Sequence, residues 1–180
     1  MQKRDWLKYS LGFTVVLFIR LLPFRPPNVE PLLATQMPFA KKYGGLAGFF
    51  FAFFSIIVYD LLTAGIGVWT LIAGMAYGLL GMWASIYFKN KKETSWDYAK
   101  FAFIGTIVFD ITTGLSLGPI FFNQPFIQAV TGQIPFTLLH LVGNIGFALT
   151  LSPLVQYMLS KQEKKQTSLA TNLSLSPNQI

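Results

Sequence analysis

An all-α integral membrane protein, a compact bundle of about six transmembrane helices with a short second helix, is the fold expected of this 180-residue chain. Three observations carry that expectation. Hydrophobic residues make up 53% of the chain and charged residues only 12%, whereas a soluble domain carries roughly 25% charged residues. The apolar residues are gathered into long runs: Leu46 to Val58 and Val68 to Phe88 contain no charge. Such runs approach the ~20 residues that span a bilayer. Finally, the basic residues fall in loops that alternate between strongly and weakly basic, as the positive-inside rule requires of a multi-pass protein.

Each element follows from local signals. Lys3, Arg4 and Lys8 precede an apolar stretch from Leu11 to Ile19, as in a secretory signal. The chain then continues Arg20, Leu21, Leu22, Pro23, Phe24, Arg25 rather than with the small residues of a cleavage site. This predicts a retained first helix near Tyr9 to Leu22, stopped by Pro23, Pro26 and Pro27. A second segment, about Pro31 to Lys42, reaches only about 18 Å at 1.5 Å per residue. It is expected as a partial span sheltered by its neighbours. The third helix, about Tyr43 to Leu62, ends at the turn Ala64-Gly65-Ile66-Gly67, and the fourth covers about Val68 to Phe88. A charged loop, Lys89 to Asp97, leads to a fifth helix at about Tyr98 to Leu117. A loop rich in Phe and amide side chains, Gly118 to Gln133, precedes the sixth, about Ile134 to Leu159. The domain plan is therefore a cytoplasmic N-terminus (1–8), a membrane domain (9–159) and a polar, disordered cytoplasmic tail (160–180).

With the N-terminus inside, six spans place Lys3, Arg4, Lys8, Lys41, Lys42, Lys89, Lys91, Lys92, Lys100, Lys161, Lys164 and Lys165 on the cytoplasmic side. Only Arg20 and Arg25 fall outside. The net charge of +7 is thus a topology signal, and nucleic-acid binding is a poor explanation for it. Two faint echoes run through the sequence. Ile57-Val58-Tyr59-Asp60-Leu61-Leu62-Thr63 is similar to Ile107-Val108-Phe109-Asp110-Ile111-Thr112-Thr113, and Gln36-Met37-Pro38-Phe39 to Gln133-Ile134-Pro135-Phe136. A duplicated unit and chance similarity between apolar helices both account for them.

The polar residues inside the spans gather toward the outer side. Asp60 and Asp110 lie near the outer ends of the third and fifth helices, and Trp69 opens the fourth. Gln133, His140 and Asn144 lie along the outer half of the sixth, near one face. Arg20, Arg25, Asn28 and Glu30 belong to the end of the first helix and its loop; Asn123, Gln124 and Gln128 belong to the last outer loop. Ionisable groups at membrane depth cost at least ~2.5 kcal/mol each on insertion scales, so they face a partner or an aqueous cavity. An outward-facing polar pocket is the expectation. Each residue also has a structural reading: Asp60 and Asp110 as helix-end groups, His140 as a buried hydrogen-bonded side chain, Trp69 and the nearby Phe residues as an interface belt, Arg20 as a snorkelling side chain.

Chemistry narrows the classes further. The chain has no Cys, so disulfide, iron–sulfur and thiolate metal sites are excluded, and its single His excludes a His-cluster metal site. No cofactor is expected. Neither a His-Glu-x-x-His nor a Gly-x-Ser-x-Gly motif is present, and there is no phosphate-binding loop. Asp60 and Asp110 as an intramembrane aspartyl dyad are a remote enzymatic alternative; the expectation is that the chain is not an enzyme.

The sequence of features from Arg20-Leu21-Leu22-Pro23 through a Pro-rich outer loop, a stunted second segment and Tyr43-Gly44-Gly45-Leu46-Ala47-Gly48 to Asp60-Leu61-Leu62 resembles a substrate-binding S component of energy-coupling factor (ECF) vitamin transporters. The resemblance covers about Tyr9 to Leu159. It implies capture of a vitamin or related micronutrient from outside the cell membrane, and docking on a transmembrane coupling protein driven by two cytoplasmic ATPase subunits. The family's Ala-x-x-x-Ala docking face has only Ser10-x-x-x-Thr14, or Gly12 with Val16, as its nearest match here. The expected substrate contacts are Arg20, Arg25, Asn28, Asp60, Trp69, Asp110, Asn123, Gln124, Gln133, His140 and Asn144. MreD-like cell-shape proteins, thought to share the fold class, provide a structural alternative.

Overall fold

The computed structural model describes residues 3–174 apart from Pro27, with side chains described for residues 5–161. The outermost parts of the expected N-terminal segment (1–8) and tail (160–180) therefore lie outside the described residues. Six helices follow one another: α1 (Lys3–Leu21), α2 (Leu32–Tyr43), α3 (Gly45–Leu62), α4 (Val68–Phe88), α5 (Ser95–Phe122) and α6 (Phe126–Ser174). The described residues contain no strand. Four of the helices, α3 to α6, are long and apolar enough to cross a membrane. α1 is interrupted by charge at both ends, and α2 has only 12 residues.

The short helix is the centre of the molecule. Every residue from Pro31 to Ala40 is buried, and α2 touches all five other helices. A helix this short leaves its terminal backbone groups within the bundle, where no water is at hand to bond them. Packing on all sides, rather than length, is what accommodates it. Gln36, fully buried, donates through Nε2 to the carbonyls of Gly48 (3.0 Å) and Tyr77 (2.7 Å), and so ties α2 to α3 and α4. Ser152 Oγ donates to Ala34 O at 2.7 Å and ties in α6.

Two antiparallel hairpins wrap this centre. In α3–α4 the backbones approach closely at Gly48 and Gly81, where a Cβ on Gly81 would lie 2.6 Å from the Gly48 carbonyl carbon. Such small-residue contacts drive helix association where lipid removes the hydrophobic drive. α3 ends on Gly65, whose φ of +83° lets its N–H bond back to Asp60 O at 2.6 Å. The N-terminus of α5 carries a reciprocal cap: Thr94 Oγ1 accepts from Asp97 N (3.3 Å) while Asp97 Oδ2 accepts from Thr94 N (3.0 Å).

The connection between α5 and α6 is much shorter than expected. The segment predicted as a loop over Gly118 to Gln133 is mostly helix: α5 runs through Pro119 to Phe122, and α6 begins at Phe126. Only Asn123 to Pro125 turn, with Asn123 at φ +51°. Proline tolerated inside packed membrane helices explains why the prolines and amides misled as loop markers. At the other end, helical backbone continues beyond Lys161 to Ser174.

The bundle has two chemically different ends. At one, Lys8 Nζ donates to Met158 O (3.1 Å), Lys41 pairs with Glu93 (2.5 Å) and bonds Lys91 O (2.7 Å), and Gln156 donates to Glu93 (2.9 Å). These contacts gather basic residues of α1, α2 and the α4–α5 loop against α6. Arg20, Arg25 and Asp60 sit at the opposite end, past the apolar middle. Large apolar side chains such as Leu7, Phe18, Ile86 and Val142 point outward on the flanks, the surface expected to face lipid.

Candidate functional site

The end of the bundle opposite the lysines holds a cavity of about 320 Å³. Its floor is built by helix periodicity. On α4, Thr70, Ala73 and Tyr77 are buried at spacings of three and four, on the face that also carries Gly74, Gly78 and Gly81. On α5, Thr106 and Asp110 share a face, and on α6, His140 and Asn144 do. The α1–α2 loop covers these helices from the side. It is held against α6 at Gly143, where a Cβ would lie 2.8 Å from Val29 Cα. Asn28 takes the left-handed conformation there, at φ +63°, which Asn tolerates better than most residues.

A chain of buried polar groups crosses the floor. Arg20 Nε lies 2.8 Å from Glu30 Oε2, with side-chain exposures of 5% and 10%, so each charge is removed from solvent together with its partner. Arg20 also donates to Ser55 O at 3.0 Å, and its guanidinium lies 4.2 Å from the Tyr59 ring centroid. Tyr77 Oη contacts Glu30 Oε1 at 3.2 Å and His140 Nε2 at 2.8 Å. His140 Nδ1 in turn lies 2.8 Å from Asp110 Oδ1, both side chains buried. Five residues from α1, the α1–α2 loop, α4, α6 and α5 thereby form one relay.

The relay has a simple proton count. Tyr77 carries one hydroxyl proton for two neighbouring acceptors, Glu30 and His140 Nε2. With the His140 ring proton on Nδ1, facing Asp110, Tyr77 donates to one of its two acceptors at a time; with that proton on Nε2, Tyr77 accepts from the ring and donates to Glu30.

The residues expected at the site divide into three groups. Arg20, Arg25, Asn28, Asp60, Trp69 and His140 line the cavity together. Asp60 Oδ2 accepts from Thr70 Oγ1 at 2.6 Å, and Arg25 donates to Arg20 O (3.4 Å) and Val29 O (3.1 Å). Trp69, Gln124 and Gln133 line a second cavity of about 270 Å³. The two cavities share Trp69 and Phe136 as walls. The remaining three residues line neither. Asp110 stands behind His140, and Asn123 is exposed on the α5–α6 turn. Asn144, with no exposed surface, lies one helical turn deeper than His140 and donates to Thr106 Oγ1 at 2.8 Å.

Several contributors were not singled out from the sequence. The sequence pattern puts Glu30 in the outer loop without a role in the site, and gives Tyr59, Tyr77, Phe109 and Phe136 no such role. Tyr77 had a readable signal, since it continues the small-residue stripe of α4 that marks an inward face. Glu30 had none, because its position depends on how an irregular, proline-rich segment folds back. The first sequence echo has a structural counterpart: Thr63 Oγ1 bonds Tyr59 O and Thr113 Oγ1 bonds Phe109 O, each at 2.8 Å. Asp60 and Asp110 nonetheless have different partners, Thr70 and His140. Among protein-family models none matches this chain, and no curated protein shows significant similarity to it.

Proposed function

We propose that this chain is the membrane-embedded capture subunit of an energy-coupled importer, holding a vitamin or related micronutrient in the cavity at the Arg20–Asp60 end. One observation carries the reading: that cavity combines paired and unpaired charges with aromatic walls, at the end of the bundle remote from the lysines. Under the positive-inside rule the lysine end is cytoplasmic and the cavity opens outward. The resemblance to S components of ECF transporters points the same way. Lacking a phosphate-binding loop, the chain requires a transmembrane coupling protein and two cytoplasmic ATPase subunits to move its cargo. On α1, Ser10 and Thr14 face outward while Val16 is buried, so the Ser10–Thr14 face is the one presented to such a partner.

Purification of the full chain, followed by mass spectrometry of what it retains, is the direct test. A retained small molecule that rebinds the emptied protein is the expected result. In liposomes containing this chain alone, the same molecule should bind without accumulating. Accumulation driven by an ion gradient would replace the proposal with secondary transport.

A further inference from the structure

The four formal charges lining the cavity are not equivalent. Arg20 and Glu30 neutralise each other at 2.8 Å, and the Tyr59 ring covers the guanidinium. Neither is left to recognise a charge. Arg25 and Asp60 are different. Arg25 uses Nε and Nη1 on two backbone carbonyls, which leaves its Nη2 donors and its whole positive charge uncompensated. Asp60 accepts a hydrogen bond from a neutral hydroxyl at one oxygen, so its negative charge is likewise uncompensated. Among the described residues neither has an oppositely charged partner. Both are half-buried in the same cavity.

An unmatched cation and an unmatched anion in one partly desolvated space discriminate against singly charged guests. Such a guest satisfies one side chain and leaves the other to lose water with nothing in exchange. Tyr59, Trp69 and Phe136 line the same space. Aromatic faces of this kind stack on flat rings and attract a cationic nitrogen. We infer that the cavity takes a zwitterion bearing a flat ring, its anionic group at Arg25 and its protonated nitrogen at Asp60. The inference rests on the capture reading above and names the chemical class of the cargo.

Matched probes test it on the full chain in lipid nanodiscs: L-tryptophan carries both charges, tryptamine only the cation and indole-3-propionate only the anion. Binding is read by calorimetry, and the molecule retained on purification is assigned its charges by mass spectrometry. L-Tryptophan should bind at least tenfold more tightly than either analogue. Arg25→Gln should erase its advantage over tryptamine, and Asp60→Asn its advantage over indole-3-propionate, with melting temperatures close to wild type. A singly charged analogue that binds as well as L-tryptophan overturns the inference, as does a ranking unchanged in both variants. If no probe binds, the retained molecule decides: a ringed zwitterion supports the inference, and an anion, a cation or an uncharged molecule overturns it while leaving capture intact. A chain that retains nothing and binds no probe overturns the capture reading, and this inference with it.

Discussion

Arg20 and Glu30 show what burial does to a residue's role. Read singly, Arg20 is a snorkelling cation or an anion receptor; paired at 2.8 Å inside the bundle, it is part of the scaffold. Glu30→Gln leaves a buried guanidinium uncompensated, a change that costs about 3–5 kcal/mol for buried pairs. Its melting temperature should fall sharply, and Arg20→Met in the same chain should restore part of the loss. Melting curves of the two single variants and the double variant check this, the double variant being expected to lose less than the sum of the two single losses. Asn144 invites the same reasoning. Its amide bonds Thr106 rather than facing a cavity, so Asn144→Ala should lower the melting temperature of the empty protein by removing a buried contact worth about 1–3 kcal/mol. Affinity for the retained molecule should hardly change. An unchanged melting temperature with weakened binding would return Asn144 to the list of cargo contacts.

Among the helices, α2 and the α3–α4 hairpin stand or fall together. Gln36 of α2 lies against Gly81 of α4, and Gly81 lies against the backbone of Gly48 on α3. A methyl group at position 81 has to displace backbone as well as a side chain, and overpacking of this kind costs about 1–3 kcal/mol. Gly81→Ala should therefore destabilise the protein and weaken the Gln36 bonds. Gly146 is the control, since nothing lies within 4 Å of a Cβ built there; Gly146→Ala should leave stability near wild type. Comparing the two variants by thermal denaturation in the same detergent separates packing from any general effect of replacing glycine. Equal stabilities would show that the hairpin closes less tightly than the Gly48–Gly81 approach implies.

For the molecule as a whole, the clustering of Lys8, Lys41, Lys91 and Glu93 at one end, with Arg20, Arg25 and Asp60 at the other, provides the vertical axis. Paired contacts establish the directions of the helices: Tyr9 bonds Ala47 O and Arg20 bonds Ser55 O, so α1 and α3 run the same way. Asp110 meets His140 and Thr106 meets Asn144, so α5 and α6 run oppositely. Because α5 and α6 run oppositely, the start of α5 and the far end of α6 lie on the same side. Reporter fusions after Lys92 and after Lys165 should both report the cytoplasm. An external signal at either would invert the cavity and remove the basis for capture from outside.

The helices were legible in the sequence because their signals are local. Charge-free runs, prolines and the Gly65 turn each act within a few residues, and α3 and α4 lie close to where those signals put them. The lysine distribution was legible for the same reason, since it depends on composition along the chain rather than on contacts. Boundaries failed where a local marker was overridden by packing, as at Pro119, which lies inside α5 rather than in the expected loop. The site was only half legible. Asp110 and His140 stood out as polar residues in apolar helices, but their 2.8 Å contact joins positions 30 residues apart, and Tyr77 lies 63 residues from His140. Which charges are paired and which are left to face a guest is a property of such long-range contacts. No spacing along the chain distinguishes Arg20 from Arg25; the fold separates them by placing Glu30 beside one of the two.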